Sequence, residues 1–170
     1  MEPMRCDSPA PSERPGPSGQ NVSALRDSGP ELPGSSAPLN NMLRDIVQHL
    51  LDHAPHAEFF RATPSPVIVH DYRDYVSADA DVTLGGMQER AASHGYASVS
   101  QFRADLHQLL RNAAAYNGRG GGKHAYEPVI HWAVDLCAVA EERLGTALAA
   151  QASADLDLAA QQASEHSHRS

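Results

Sequence analysis

The sequence is poor in cysteine, with Cys6 and Cys137 as its two thiols in 170 residues. Cys6 lies in a Pro- and Ser-rich stretch and Cys137 at an apolar helical position, so we expect no disulfide between them and a reducing compartment. Apolar runs of the roughly 18 residues that a membrane span needs are also lacking. No short apolar segment opens the chain, so we expect neither a membrane protein nor a secreted one.

Clusters of Lys and Arg are lacking as well. The net charge is −8, and residues 39–143 hold 9 basic against 13 acidic side chains, which gives 9 − 13 = −4. This balance disfavours direct binding to nucleic acid, and it provides no basic import signal. An acidic surface suits a partner rich in Lys and Arg, although it also serves solubility. Strand patterns are nearly absent, since Val67-Ile68-Val69 is short and flanked by Pro.

Composition divides the chain into three parts. Residues 1–38 contain 8 Pro, 4 Gly and 7 Ser without apolar periodicity, so we expect a disordered arm. Residues 149–170 are rich in Ala, Gln, Ser and His, and we expect a flexible tail there. The intervening residues 39–148 are numerous enough to bury the core of one domain.

The first predicted helix has a single apolar stripe and ends before Pro55. Its apolar residues recur at helical spacing: Leu39, Met42, Leu43, Ile46, Val47, Leu50 and Leu51. Residues 55–82 follow no helical or strand period and are broken by Pro64 and Pro66. A loop of this length inside a small domain more often carries a function than not.

Three further helices are predicted after the loop. Thr83 is a suitable N-cap for a short one, and Ser98 with Gln101 forms the pattern of a capping box for the next. Pro128 is favoured at the first position of the last helix, which we expect to reach about Leu148. Four amphipathic helices and no strands predict an all-α fold, a four-helix bundle of antiparallel neighbours.

The third helix ends in the run Asn112-Ala113-Ala114-Ala115-Tyr116-Asn117, directly before Gly118-Arg119-Gly120-Gly121-Gly122. An Asn side chain carries two donors and an acceptor, so at the rim of a bundle it can bind another amide. Asn117 could instead serve as a helix C-cap. A second polar-tipped residue, Tyr75, lies about forty residues upstream in the long loop.

This combination resembles the bromodomain family over about residues 39–148. The resemblance implies a left-handed up-down four-helix bundle with a long loop between helices one and two. It also implies an acetyl-lysine pocket between that loop and the loop joining the last two helices. The run from Asn112 to Asn117 is the most recognisable block of the family, and Tyr75 and Thr83 keep the family's intervals to it.

The resemblance also implies residue roles. Asn117 would donate to the acetyl carbonyl, and Tyr75 would hold a water bridging to the same oxygen. The Pro66-Val67 pair would place Val67 against the acetyl methyl. The remaining implied pocket residues are Phe60 as the floor, Tyr116 as a wall, and Val129 as the gatekeeper, with Tyr126 as the alternative gatekeeper.

Three positions depart from the family pattern. The family's Trp-Pro-Phe shelf is Glu58-Phe59-Phe60 here, so its Trp is missing. The Pro-Met-Asp segment before helix two is Asp81-Val82-Thr83, which keeps a capping residue but not the Pro. The loop after Asn117 is longer and consists mostly of Gly. These changes bear on ligand affinity and preference more than on the fold.

The resemblance implies a non-catalytic reader of acetylated lysine on histone tails, which acts in transcription regulation in the nucleus, beside other chromatin proteins. It implies no cofactor, no nucleic-acid or membrane contact and no enzymatic activity. An alternative is a degenerate bromodomain that serves as a protein-protein interaction scaffold independent of acetyl-lysine. A third hypothesis, a metal site at His49 and His53, lacks the further ligands of a tetrahedral set.

Two other motifs are excluded by their context. The segment Gly118–Lys123 suggests a phosphate-binding loop, but Asn117 stands where the motif needs Gly, and His124 where it needs Ser or Thr. It also follows a helix rather than a strand. Ser, Asp and His residues are scattered without the arrangement that activates a nucleophile.

Overall fold

The computed structural model describes residues 36–168, which are all-helical with no strand among them. Five α-helices follow in the order α1 Ser36–His53, α2 Tyr72–Tyr75, α3 Leu84–Ala92, α4 Val99–Asn117 and α5 Pro128–His168. Short 3₁₀ turns occupy Ala57–Phe60 and Ala78–Ala80 in the long loop. Helix α1 packs against α3 and α5, and α4 packs against α5, so the four longer helices form the predicted bundle.

The core contains the apolar stripes that the helical periodicity predicts. Its fully buried side chains come from all four long helices: Leu43, Val47, Leu50, Leu84, Met87, Phe102, Leu106, Leu109, Ala133, Leu136, Ala140 and Leu144. Burial of large aliphatic side chains stabilises a fold by roughly 1.5–3 kcal/mol for each of them. The core therefore holds the ends of α4 and α5, and the loops between them, in fixed positions.

The helix starts follow the predicted capping chemistry. The Thr83 hydroxyl accepts a hydrogen bond from the Gly86 N–H at 3.1 Å, and Ser98 accepts one from the Gln101 N–H at 3.3 Å. The capping box at α4 is shifted by one residue, because Gln101 accepts from the N–H of Ala97 rather than from that of Ser98. The predicted starts of α3 and α4 are confirmed.

The ends of the bundle differ from the prediction. Helix α1 begins at Ser36, so residues 36–38 belong to its first turn, while the rest of the predicted arm lies outside the described residues. Helix α5 does not end near Leu148 but continues to His168. Side chains 149–166 are exposed, so this extension contributes nothing to the core. Its Ala-rich composition favours a helix without tertiary support.

A buried amide fixes the connection between α3 and α4. Asn40 is fully buried on α1. Its Nδ2 donates to the Tyr96 carbonyl at 2.8 Å and its Oδ1 accepts from the Tyr96 N–H at 3.0 Å. Tyr96 donates its hydroxyl to Asp105 at 2.8 Å, and Arg90 forms an ion pair with the same carboxylate at 2.9 Å. The loop is thus held by hydrogen bonds in addition to the buried Tyr96 ring, which packs on Phe102.

The two cysteines were predicted to be unpaired with each other. Cys137 is a free thiol whose Sγ donates to the Leu106 carbonyl at 3.5 Å, and Cys6 lies outside the described residues. Burial raises the pKa of the Cys137 thiol to about 11, so it stays protonated and unreactive. Within the described part of the chain, no helix is both long enough and apolar enough to span a membrane.

Candidate functional site

A cavity of about 510 Å³ opens at the end of the bundle where α4 stops, between the long loop and the start of α5. This volume lies in the range of roughly 300–1,000 Å³ that is typical of small-ligand sites. The lining combines apolar side chains with a few polar groups. The lining includes Phe59, Phe60, Ile68, Val69, Tyr72, Asn112, Tyr116, Asn117, His124, Tyr126 and Val129.

Asn117 lies in the cavity wall with its side-chain amide held on both sides. Its Nδ2 donates to the Ala113 carbonyl at 3.0 Å, and its Oδ1 accepts from the N–H of Tyr126 at 3.0 Å. A primary amide has two N–H donors, so the second one remains for a ligand. Gly118 is the C-cap residue and bonds the Ala114 carbonyl, so the alternative role of Asn117 as the cap is wrong.

Five of the eight residues that the resemblance implied line this cavity: Asn117, Phe60, Tyr116, Val129 and Tyr126. Phe60 and Tyr116 are buried, with 7% and 4% of their surface exposed. Both gatekeeper candidates are in the lining, Val129 half-buried and Tyr126 exposed. The apolar wall and the polar amide therefore meet in one place, as the sequence suggested.

Pro66 and Val67 do not line the cavity. Val67 is 89% exposed and outside the lining. The next two residues are in the lining, Val69 half-buried and Ile68 still 71% exposed. The Ser65 carbonyl accepts hydrogen bonds from the N–H groups of both Ile68 and Val69. Pro66 and Val67 are the central residues of this tight turn and lie outside the cavity. The Pro-Val pair in the sequence therefore did not identify the loop residues that line the cavity.

Tyr75 also lies outside the lining, and Tyr72 lies in it. The Tyr75 hydroxyl donates to the Gly121 carbonyl at 3.0 Å, so this side chain supports the glycine loop from outside. The family's intervals to Thr83 and Asn117 selected Tyr75, but the turn at Ala78–Ala80 takes up part of the interval before Thr83. Tyr72, three residues earlier, was missed because spacing alone does not reveal such a turn.

Tyr72 is half-buried, and its ring contacts that of Tyr116 with centroids 5.4 Å apart. Burial, and next the charge of Asp81, raise the pKa of its hydroxyl to about 12, so it remains a donor at neutral pH. Asp81 also forms an ion pair with Arg73 at 2.8 Å. The hydroxyl of Tyr72 is thus protonated and donates to Asp81 Oδ1 at 3.4 Å, which leaves its oxygen as an acceptor.

Asp71 joins the two loops that form the cavity. This buried carboxylate accepts from the Tyr116 hydroxyl at 2.9 Å and from the Lys123 N–H at 2.7 Å. The backbone hydrogen bond from Lys123 is the main cause that lowers its pKa below 3.8, and the Tyr116 hydroxyl adds to it. The long loop, the end of α4 and the glycine loop therefore meet at one carboxylate.

The lowered pKa of Asp71 predicts a loss of stability in acid. Its hydrogen bonds contribute fully above the unfolded pKa near 3.8 and are lost as the pH falls through the lower folded value. At pH 5 the native protein should melt at a higher temperature than Asp71→Asn, measured by circular dichroism. This difference in melting temperature should shrink as the pH falls from 5 to 3. Asp74→Asn, at an exposed position nearby, should not alter the pH profile. Parallel profiles for native protein and Asp71→Asn would contradict this role.

Two further hydrogen bonds fix the long loop, one from α4 and one from α3. The Asn112 Nδ2 donates to the Ala80 carbonyl at 2.6 Å, which fixes the turn before α3. The Gly85 N–H donates to the Arg61 carbonyl at 3.0 Å, and a Cβ at Gly85 would lie 2.6 Å from that oxygen. The absence of a side chain at Gly85 therefore allows the long loop to approach α3 closely. Loop and helices together hold the cavity open before a ligand arrives.

The glycine loop folds back onto Tyr116. The Gly122 N–H donates to the Tyr116 carbonyl at 2.8 Å, and a Cβ on Gly122 would overlap the tyrosine ring. The run of glycines after Asn117 is thus explained by close approach of backbone to the cavity wall rather than by phosphate binding.

We expect Gly122→Ala to lower the free energy of unfolding by about 1–3 kcal/mol, the usual cost of overpacking, because the Tyr116 ring must shift. The displaced ring should also weaken ligand binding. Gly145→Ala is the control, since nothing lies within 4 Å of its added Cβ in α5. It should stabilise the protein by about 0.5–1 kcal/mol. Urea denaturation measures both, and equal effects of the two variants would contradict the packing argument.

An aromatic cluster borders the cavity where the Trp of the shelf is missing. Trp132 on α5 contacts Phe59 and Tyr126, with ring centroids 4.9 Å and 5.7 Å away, and His56 stacks on it at 3.9 Å. Phe59 and Tyr126 line the cavity, so the indole supports the cavity wall through its contacts with these two rings. The sequence pattern could not show this, because Trp132 is about seventy residues from Phe59 along the chain.

The histidines considered for a metal site lie elsewhere. His49 and His53 stack on each other on α1 with centroids 4.5 Å apart. Among residues 36–168, no group of three or more His, Cys, Asp or Glu side chains is close enough to hold a metal ion. Nothing in this part of the chain adds to the metal hypothesis.

Comparison with known proteins adds one finding. A family model described as Bromodomain matches residues 42–126, which are 85 of the 170 residues. The matched range begins in α1, contains the long loop and Asn117, and ends at Tyr126, just before α5. No curated protein matches the chain.

Proposed function

The chain belongs to the bromodomain family, a family of acetyl-lysine reader modules, and we propose that its cavity binds acetylated lysine without catalysing a reaction. One observation carries the proposal. The Asn117 amide is fixed by Ala113 and Tyr126 with one N–H donor left over, in the wall of a largely apolar cavity. A ligand that presents a carbonyl and a methyl group to such a site matches both features.

The physical basis of discrimination is desolvation. Acetylation removes the charge of lysine and leaves a neutral amide with a methyl tip. An unmodified ammonium group would lose its hydration among Phe60, Tyr116 and Val129, which costs several kcal/mol. The lining contains one carboxylate, Glu58, and its side chain is exposed, so it offers no buried partner for that charge.

The roles of individual residues follow from their positions. Asn117 donates to the acetyl carbonyl, and Tyr72 takes the part of the loop hydroxyl that the resemblance had given to Tyr75. Phe60 and Tyr116 form the apolar walls. Val129, near the start of α5, and Tyr126, just before it, both border the entrance.

We further propose that the acetylated partner is a histone tail and that the protein acts in chromatin in the nucleus. The net charge of −8 favours a partner rich in Lys and Arg, and histone tails have this composition. The family consists of binding modules, which supports a non-catalytic role. Recruitment of other chromatin proteins would follow from the same interaction.

Calorimetric titration with paired histone-tail peptides tests this function. Each pair has the same sequence, with one lysine either acetylated or unmodified. We expect binding of acetylated members and at least a tenfold weaker response from their partners. Equal binding of both members would instead favour the alternative, a scaffold that recognises proteins without acetyl-lysine. Absence of binding to every acetylated peptide would contradict the histone assignment.

A further inference from the structure

A second, smaller cavity of about 210 Å³ lies behind the aromatic cluster. It is bounded by the end of α1 and the first turns of α5. Its lining residues are Ala54, Pro55, His56, Trp132, Asp135, Leu136 and Val139. The volume is below the range of roughly 300–1,000 Å³ for small-molecule sites and suits a single amino-acid side chain.

The chemistry of this cavity favours a cation. Asp135 is its carboxylate, it is exposed, and no Lys or Arg belongs to the lining. No ion pair to Asp135 occurs among residues 36–168. An indole is the aromatic ring that attracts cations most strongly. His56 stacks on one face of Trp132 at 3.9 Å, so a cation would contact the rest of this ring. A planar guanidinium both stacks on such a ring and binds a carboxylate through two parallel hydrogen bonds.

The aromatic cluster makes the two cavities neighbours. Trp132 and His56 line the smaller one, and Phe59 and Tyr126, which contact Trp132, line the larger one. Tyr126 is in turn bonded through its N–H to Asn117. An extended peptide advances by about 3.3 Å per residue, so a few residues on either side of a bound acetyl-lysine span distances of the size of these contacts.

We propose that the smaller cavity binds an arginine side chain of the acetylated peptide, against Trp132 and Asp135. The peptide's placement rests on the proposed function, since acetyl-lysine in the larger cavity determines which neighbour arrives there. The affinity of the smaller cavity for a guanidinium group is independent of that function and is measurable by itself.

The first arm of the test uses ethylguanidinium as the probe and ethylurea as its neutral counterpart. Trp132 is the sole tryptophan of the chain, so the spectrum contains a single indole N–H resonance, and the Asp135→Asn variant assigns its response to the smaller cavity. We expect ethylguanidinium at millimolar concentration to shift this resonance and ethylurea not to. Asp135→Asn should abolish the shift, whereas Asp157→Asn, exposed on the same helix, should retain it. Asn117→Ala should also retain it.

The second arm uses glycine-rich peptides with one acetyl-lysine and an arginine placed at each neighbouring position in turn. Citrulline at the same position is the uncharged control. We expect one position at which arginine binds about tenfold more tightly than citrulline, with the difference lost in Asp135→Asn. A leucine that binds better than arginine at that position would show an apolar subsite and overturn the proposal.

The outcomes separate this inference from the proposed function. A Trp132 response to ethylguanidinium without any response to acetyl-lysine would reject the reader function and keep the cation site. Acetyl-lysine binding with no Trp132 response, and with equal affinities for arginine and citrulline peptides, would overturn the cation site and keep the reader function.

Discussion

Replacement of Asn117 by Asp should reduce affinity for acetyl-lysine by about 5- to 150-fold while leaving the fold nearly intact. The carboxylate keeps the acceptor for the Tyr126 N–H but has no donor for the acetyl carbonyl or for the Ala113 carbonyl, whose backbone partner in α4 remains. Loss of a ligand hydrogen bond in a partly buried site costs about 1–3 kcal/mol, and each 1.4 kcal/mol is tenfold in affinity. Calorimetry with an acetylated peptide measures the change.

Asn41→Ala is the matched control for this variant, since Asn41 is exposed on α1 and far from the cavity in sequence. It should bind like the native protein. We expect both variants to melt within a few degrees of the native protein, because neither empties the core. Retained affinity in Asn117→Asp would show that the amide does not contact the ligand, and a collapsed melting temperature would show a structural role instead.

Asn40→Ala should have the largest effect on stability, a loss of about 3 kcal/mol. The substitution leaves the N–H and carbonyl of Tyr96 without their partner in a fully buried position. Each such unpaired group costs about 1–3 kcal/mol. For a domain of this size the melting temperature should fall by about 10 °C or more, measured by thermal circular dichroism.

Asn41→Ala again provides the comparison, because it removes the same side chain from the neighbouring, exposed position. Its melting temperature should change by less than 2–3 °C, in keeping with the small effects of surface substitutions. At a temperature where Asn40→Ala is folded, its acetyl-lysine affinity should match the native value. A melting temperature of Asn40→Ala equal to that of Asn41→Ala would contradict the account of the α3–α4 connection.

The bundle could be predicted from the sequence because helices carry local signals. Apolar residues at helical spacing identified α1 and α4, and the caps at Thr83 and Ser98 fixed where two helices begin. The length of α5 could not be predicted in this way. Its extension beyond Leu148 has no apolar stripe, and an Ala-rich segment is compatible with helix and coil alike.

The candidate site could be predicted only where it lies on a regular element. Asn117 ends a helix, so its position at the rim follows from the helix itself. Which residues of the long loop line the cavity depends on turns at Ser65 and at residues 78–80, and spacing does not reveal these turns. Tyr72, Ile68 and Val69 were therefore missed. Trp132 was missed as part of the shelf because it reaches Phe59 through the tertiary fold.

An NMR titration of the ¹⁵N-labelled protein with free N-acetyl-lysine, and with lysine as control, tests the central claim most directly. We predict that the side-chain amide of Asn117 and the backbone amides of Tyr126 and Ile68 shift with acetyl-lysine and remain in place with lysine. Identical shifts with both ligands, or no shift at tens of millimolar acetyl-lysine, would contradict an acetyl-lysine pocket at Asn117.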